Sequence, residues 1–223
     1  MNNNIFVEPW IEEDIWNIND FKKIETPIYV VSEKKIEENL KILNRIQKET
    51  GCKILMALKS FSLFKLAPLV KKYLGGVEAS SVNEARLGAK EFSGEVHVFS
   101  PSYTKKNIKD YMLYADHLVF NSFSQWNRFK DIVRGKNISC GLRVNLEHSE
   151  SDVSIYDPSR PKSQFGVTIK NFEENNLEGI EGLHFHNLCE LDADALKRSL
   201  DVFKDKFGRF LGEMKWVNFG GGH

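Results

Sequence analysis

Short apolar runs alternate with longer amphipathic segments along most of the chain, and this constrains the fold more than any other feature. The runs are Ile28–Val31, Lys53–Leu58, Gly76–Ala79, Glu95–Phe99, His117–Phe120, Ser139–Asn145, Ile180–His186 and Met214–Phe219. Several are rich in Val, Ile and Phe, as buried strands are. Between them, Ile36, Leu40, Leu43 and Ile46 make one helical stripe that Gly51 stops, and Leu196, Leu200, Phe203 and Phe207 make another. Ser81-Val82-Asn83-Glu84 and Ser122-Phe123-Ser124-Gln125 match the capping box, in which a Ser side chain and the residue three positions on satisfy each other's amides. The seven later runs start about 20 to 40 residues apart, the length of one βα unit. Repeated βα units give a parallel sheet covered by helices. With this many units, and with no Gly-x-Gly-x-x-Gly after the first run, an α/β fold of the (β/α)8 TIM-like barrel type is favoured over a doubly wound sheet.

Composition narrows the function classes. Lys plus Arg number 31 and Asp plus Glu 31, so the formal charge is zero and a broad nucleic-acid-binding face is not expected. Cys52, Cys140 and Cys189 are widely spaced and form no Cys-x-x-Cys, which fits the reducing cytoplasm better than a disulfide framework or a structural zinc site. The start of the chain lacks a basic stretch followed by an apolar one, and no run approaches 18 apolar residues, so neither a signal peptide nor a membrane span is expected.

In a barrel, polar residues at the C-terminal ends of strands are the catalytic suspects. That rule selects Lys59, Glu78, Asn121, Arg143, Asn145, His184, His186 and Cys189. An amine at the end of a buried strand, as at Lys59, is partly desolvated and can condense with an aldehyde. His184 and His186 lie two apart on a strand and share a face. Such a pair can hold zinc given further ligands, or one imidazole can stack on a flat ring while the other hydrogen-bonds. His97, His117 and His148 show no ligand spacing with this pair, and no metal site is expected. Gly220-Gly221-Gly222 ends an apolar strand, where backbone amides can turn toward an anion. The polar connection from Leu146 to Gly166 is long for a compact domain, which marks it as functional, and it follows a strand at the C-terminal face.

Five segments also occur together in the order of a known family. Ala57-Leu58-Lys59-Ser60, Gly76-Val77-Glu78-Ala79-Ser80-Ser81, Leu142-Arg143-Val144-Asn145, Gly182-Leu183-His184-Phe185-His186-Asn187 and Asn218-Phe219-Gly220-Gly221-Gly222-His223 resemble the fold-type III decarboxylases dependent on pyridoxal 5'-phosphate. That family includes the ornithine and diaminopimelate decarboxylases and is related to alanine racemase. Glu78 within its motif, the run His186-Asn187-Leu188-Cys189-Glu190 and the Tyr156-Asp157-Pro158 loop resemble the branch acting on carboxynorspermidine and carboxyspermidine in polyamine synthesis.

The resemblance implies that Lys59 bonds the cofactor aldehyde and that His186 stacks on its ring. Arg143 would line the cofactor, Glu78 would stand near the Schiff base, and Gly220, Gly221 and Gly222 would turn around its phosphate. Cys189 stands where relatives often have a phosphate-binding serine. Glu150, Asp157 and Glu190 are the candidate partners for substrate amines. The resemblance further implies a cytoplasmic homodimer with its active site at the interface.

In that family a Glu-Pro-Gly strand and a C-terminal β domain follow the glycine turn. Here the chain ends first, so the expectation is a leading segment and strand over residues 1–31 and a barrel over residues 32–223. That barrel would lack its closing strand, and the 223-residue piece would be inactive alone. Counting runs gives eight strands, whereas the resemblance leaves Ile28–Val31 outside the barrel wall and gives seven. Three other readings stand beside this one: a decarboxylase of another basic amino acid, a non-catalytic single-domain barrel carrying pyridoxal phosphate, and a metal-dependent hydrolase built on His184 and His186.

Overall fold

The computed structural model of the chain describes residues 24, 25, 27–151 and 153–222. Most of the expected leading segment, with Thr26, Asp152 and His223, lies outside them. Ile28–Val31 is not a strand: it is exposed and unpaired, with Tyr29 fully open to solvent. Its apolar composition fits a strand, but none of the described strands pairs with it.

Helix α1 (Glu33–Thr50) starts on Ser32, whose hydroxyl accepts the Lys35 amide, and stops at Gly51. Its stripe is only partly covered: Leu40 is buried and Ile36 and Leu43 pack on the core, but Ile46 is exposed. Strand β1 (Leu55–Ala57) follows, then the short helix α2 (Ala67–Val70) and β2 (Gly76–Ala79). Helix α3 (Val82–Leu87) runs into a π turn over Gly88–Phe92 and leads to β3 (Glu95–Phe99). Helix α4 (Asn107–Tyr111), β4 (His117–Phe120), helix α5 (Phe123–Val133) and β5 (Ser139–Arg143) come next. After the long connection lie β6 (Gly182–His184), helix α6 (Ala193–Phe207) and β7 (Trp216–Asn218).

All six strand pairs are parallel, and the order is the chain order, β1 to β7. This is the wall of a (β/α) barrel, seven strands of it, with β1 and β7 unpaired with each other among the described residues. The sheet is curled, since Glu78 of β2 comes close enough to the Asn218 side chain of β7 to interact with it.

Both capping boxes form, with one difference. Ser81 and Ser122 accept the amides of Glu84 and Gln125. The return bonds reach one residue further upstream, to the amides of Ser80 and Asn121. Each box thereby pins the last residue of a strand turn to the helix after it.

Alternate residues of the strands build the core on the outer side of the wall. Val77, Val96, Val98, Leu118, Phe120, Leu142, Leu183 and Phe185 are fully enclosed there, against Ala85, Ile108, Trp126, Phe129, Phe203 and Phe207 of the helices. The inner side of β5, β6 and β7 is filled differently. Gly141 and Gly182 have no side chains, and the indole of Trp216 fills the space. A Cβ on Gly141 would come within 2.3 Å of that ring and one on Gly182 within 2.2 Å. Trp216 donates its Nε1–H to Ser139 Oγ at 2.8 Å, and Ser139 in turn donates to Glu181 at 2.6 Å.

Candidate active site

Register brings the first part of the site together. Arg143, His184 and Asn218 pair across β5, β6 and β7, abreast at the C-terminal end of the sheet. Arg143 is buried between two rings, its guanidinium 4.6 Å from Phe99 and 4.7 Å from Phe165, and it donates to the His186 carbonyl at 3.0 Å. Burial pushes Arg143 down to about 10, with Glu78 pulling the other way. His184 meets Phe99 edge-on at 5.3 Å, and its Nδ1 is buried without a partner. Burial, then the nearby Arg143, holds His184 well below the usual histidine range, so this imidazole is neutral.

Glu78 faces the same space from β2. Its exposure is intermediate at the open mouth, yet its carboxyl packs deeply enough that burial pushes it up to about 8. Lys59, Arg143 and the interaction with Asn218 all oppose that rise and do not cancel it. Near neutral pH this is a carboxylic acid beside cations, which can donate or hold a proton.

The second part of the site is the glycine turn. Gly220 has φ +73° and Gly222 φ +98°, a backbone region open to glycine. A Cβ on Gly220 would meet His186 Nδ1 at 2.6 Å, and one on Gly222 would meet the Leu188 carbonyl at 2.2 Å. The turn therefore lies flat on the His186–Cys189 segment. Gly221 donates its amide to His186 Nδ1 at 3.0 Å, Gly220 donates to Asn218 Oδ1 at 2.8 Å, and the Gly222 carbonyl accepts from Leu191. Since His186 Nδ1 accepts, the neutral ring carries its proton on Nε2. Two of the three turn amides are thus engaged within the protein, and nothing stands within 4 Å of the side-chain position of Gly221.

The other sequence-selected residues divide clearly. Lys59 is exposed in the turn after β1, not desolvated as its strand-end position suggested, because the strand ends at Ala57 and the chain curves outward. It remains close enough to Glu78 and His184 to act on their charge. Cys189 is half-buried beside Gly222.

Asn121 and Asn145 are clamps for the long connection. Asn121 donates to the Gln164 carbonyl and accepts from the Gly166 amide, while Asn145 donates to the Phe165 carbonyl. Glu150 is held by Arg198 and His148, with the Arg198 Nε bond at 2.7 Å, and the Arg198 bond keeps its carboxyl below the usual range. Asp157 accepts the Ser159 amide at 2.7 Å, and Glu190 is exposed with φ +53°.

Asn218, Phe99 and Phe165 belong to the site but carry no motif of their own. Asn218 stood inside the glycine motif, and its strand-end position was the one available signal. Among the described residues, the one group of three possible ligands with converging atoms is Glu95, His97 and His117, which includes neither His184 nor His186.

A parallel wall in chain order, with its polar residues and a glycine turn at the C-terminal end, is part of a (β/α) barrel of the TIM-like type. A Campylobacter jejuni carboxynorspermidine/carboxyspermidine decarboxylase is 41% identical over 203 residues, 91% of this chain and 53% of that protein. A Synechocystis carboxyaminopropylagmatine decarboxylase is 37% identical over 200 residues, 90% of this chain and 52% of that one. The crystal structure of C. jejuni carboxynorspermidine decarboxylase complexed with norspermidine superposes with a TM-score of 0.82 at 39% identity, over 90% of this chain and 51% of its own. The chain is similar to these decarboxylases along most of its own length, and it spans about half the length of the curated relatives it matches. No protein-family model matches it.

Proposed function

We propose that this chain supplies the cofactor-holding barrel of a carboxy-lyase that uses pyridoxal 5'-phosphate to decarboxylate a carboxylated polyamine. The observation that carries this reading is the convergence of Glu78, Arg143, His184 and Asn218 beside the His186–glycine turn, in a chain 41% identical to a carboxynorspermidine/carboxyspermidine decarboxylase. The residues fit the cofactor. Lys59 supplies an amine for its aldehyde, Arg143 a buried cation, His186 a neutral ring, and the turn a glycine backbone with its outer side open at Gly221. When bound, pyridoxal phosphate supplies an electron sink for the pair released as CO2 leaves.

The remaining work falls to side chains of this chain. Arg143 is fixed between Phe99 and Phe165, so its charge stays aimed into the site at no further cost in order. Neutral Glu78 holds a proton within electrostatic reach of Lys59 and can supply it to the site. An anion at the turn competes with Asn218 and His186 for the Gly220 and Gly221 amides, which couples phosphate binding to the setting of the His186 ring.

Substrate amines call for carboxylates at the C-terminal face. Glu150 is already neutralised by Arg198, which leaves Asp157 and Glu190 as the better partners. Protein that includes this chain at the relatives' full length should release CO2 from carboxynorspermidine, carboxyspermidine or carboxyaminopropylagmatine. Lys59→Ala should abolish that release. Undiminished turnover in the variant, or release from diaminopimelate or ornithine alone, would overturn the reading.

A further inference from the structure

A second polar cluster lies at the opposite, N-terminal mouth of the sheet. Glu95 opens β3, His97 follows two residues later on the same face, and His117 opens β4. Strand register pairs His97 with His117, and their rings stack with centroids 3.7 Å apart at 15°. Both Nε2 atoms turn toward one carboxylate oxygen. Glu95 Oε2 lies 3.3 Å from His97 Nε2 and 3.5 Å from His117 Nε2.

We propose that Glu95, His97 and His117 bind a divalent transition-metal ion of the zinc type, with its fourth position open to solvent at the mouth. Two imidazoles and a carboxylate are a zinc donor set, and with bonds of about 2.0–2.1 Å the corners of a tetrahedron stand about 3.3 Å apart. The nitrogen–oxygen spacings have that size, the candidate ligand atoms all lie within 4.8 Å of one another, and a tilt of the near-parallel rings brings both lone pairs onto one ion.

The rings are set on one side by the His97–Glu95 hydrogen bond and on the other by packing. Trp216 meets them edge-on at 5.7 and 5.2 Å, and both Nδ1 atoms are buried without a partner. Glu95 is about one-third exposed, which opens an entry path. The one competitor on the carboxylate is Lys53, which binds the other oxygen, Oε1, from a half-exposed side chain that can swing away. Linear spacing hid this set, because His97 and His117 are twenty residues apart and only pairing of β3 with β4 joins them.

The test is zinc chloride titrated into purified, metal-free chain against a chromophoric chelator, with cobalt(II) absorption reporting the geometry. One equivalent should bind. Glu95→Gln and His117→Asn should each weaken binding at least tenfold, with circular dichroism showing that both variants fold. Lys53→Met should tighten binding by removing the competing cation, and His186→Asn should leave the stoichiometry at one. Absence of binding, binding equally tight in Glu95→Gln and His117→Asn, or loss of binding in His186→Asn would each overturn the proposal.

Discussion

Glu78 is the residue whose surroundings most alter its chemistry. Its proton is held more tightly in the folded chain than in the unfolded one, with the folded value raised from 4.5 to about 8. Across that window the folded state carries the extra proton, so the contribution of Glu78 to stability falls as pH rises from about 5 to about 8. Glu78→Gln keeps a neutral hydrogen-bonding group and removes the titration. Its thermal unfolding temperature should therefore decline less across this range than that of the parent chain. Parallel declines in the two proteins would show that Glu78 is not the group responsible. Arg143 invites a separate experiment. A lysine there keeps the charge but loses the planar stacking between Phe99 and Phe165 and the fixed bond to the His186 carbonyl. Arg143→Lys should weaken pyridoxal phosphate binding by about tenfold or more, the scale of one lost charged hydrogen bond, measured by absorbance titration.

Among the elements, the connection from Leu146 to Gly166 is tied to the sheet by a few polar side chains. Asn121 alone supplies two of the ties. Asn121→Ala should cost about 1–3 kcal/mol locally and should speed tryptic cleavage after Lys162. On the same face, Asp157→Asn and Glu190→Gln should raise KM for a polyamine substrate several-fold. Glu150→Gln should instead loosen the bond to Arg198 and change KM little.

All seven strands fall inside apolar runs read from the sequence, several of them rich in Val, Ile or Phe. Glu95–Phe99 and His117–Phe120 form over their expected residues. Ile28–Val31 misled because apolar content does not supply a pairing partner. The site was legible where it rests on strand ends and glycines, as at Arg143, Glu78 and Gly220–Gly222. It was not legible where it depends on register and curl, which join Asn218 to Glu78 and His97 to His117 across distant stretches of chain.

At the scale of the whole molecule, the wall has two free margins. β1 and β7 have one neighbour each among the described residues, so each presents unpaired backbone groups along a parallel edge. Such edges recruit other strands. The 223-residue chain should self-associate as its concentration rises in sedimentation velocity runs. The same preparation should release no CO2 from a carboxylated polyamine. A monomer at every concentration, or measurable turnover, would contradict the respective expectation.

Trp216 links three strands in a way that bears on how the barrel can change over time. Its ring fills the space left by Gly141 and Gly182, so the three positions share one volume. Gly182→Ala should be far less damaging beside Trp216→Leu than alone, and a double-mutant cycle would measure that dependence. The order of steps open to a lineage is therefore restricted. A side chain can be gained on β5 or β6 only after the tryptophan on β7 has been lost, and the intermediate with neither must survive with a hollow.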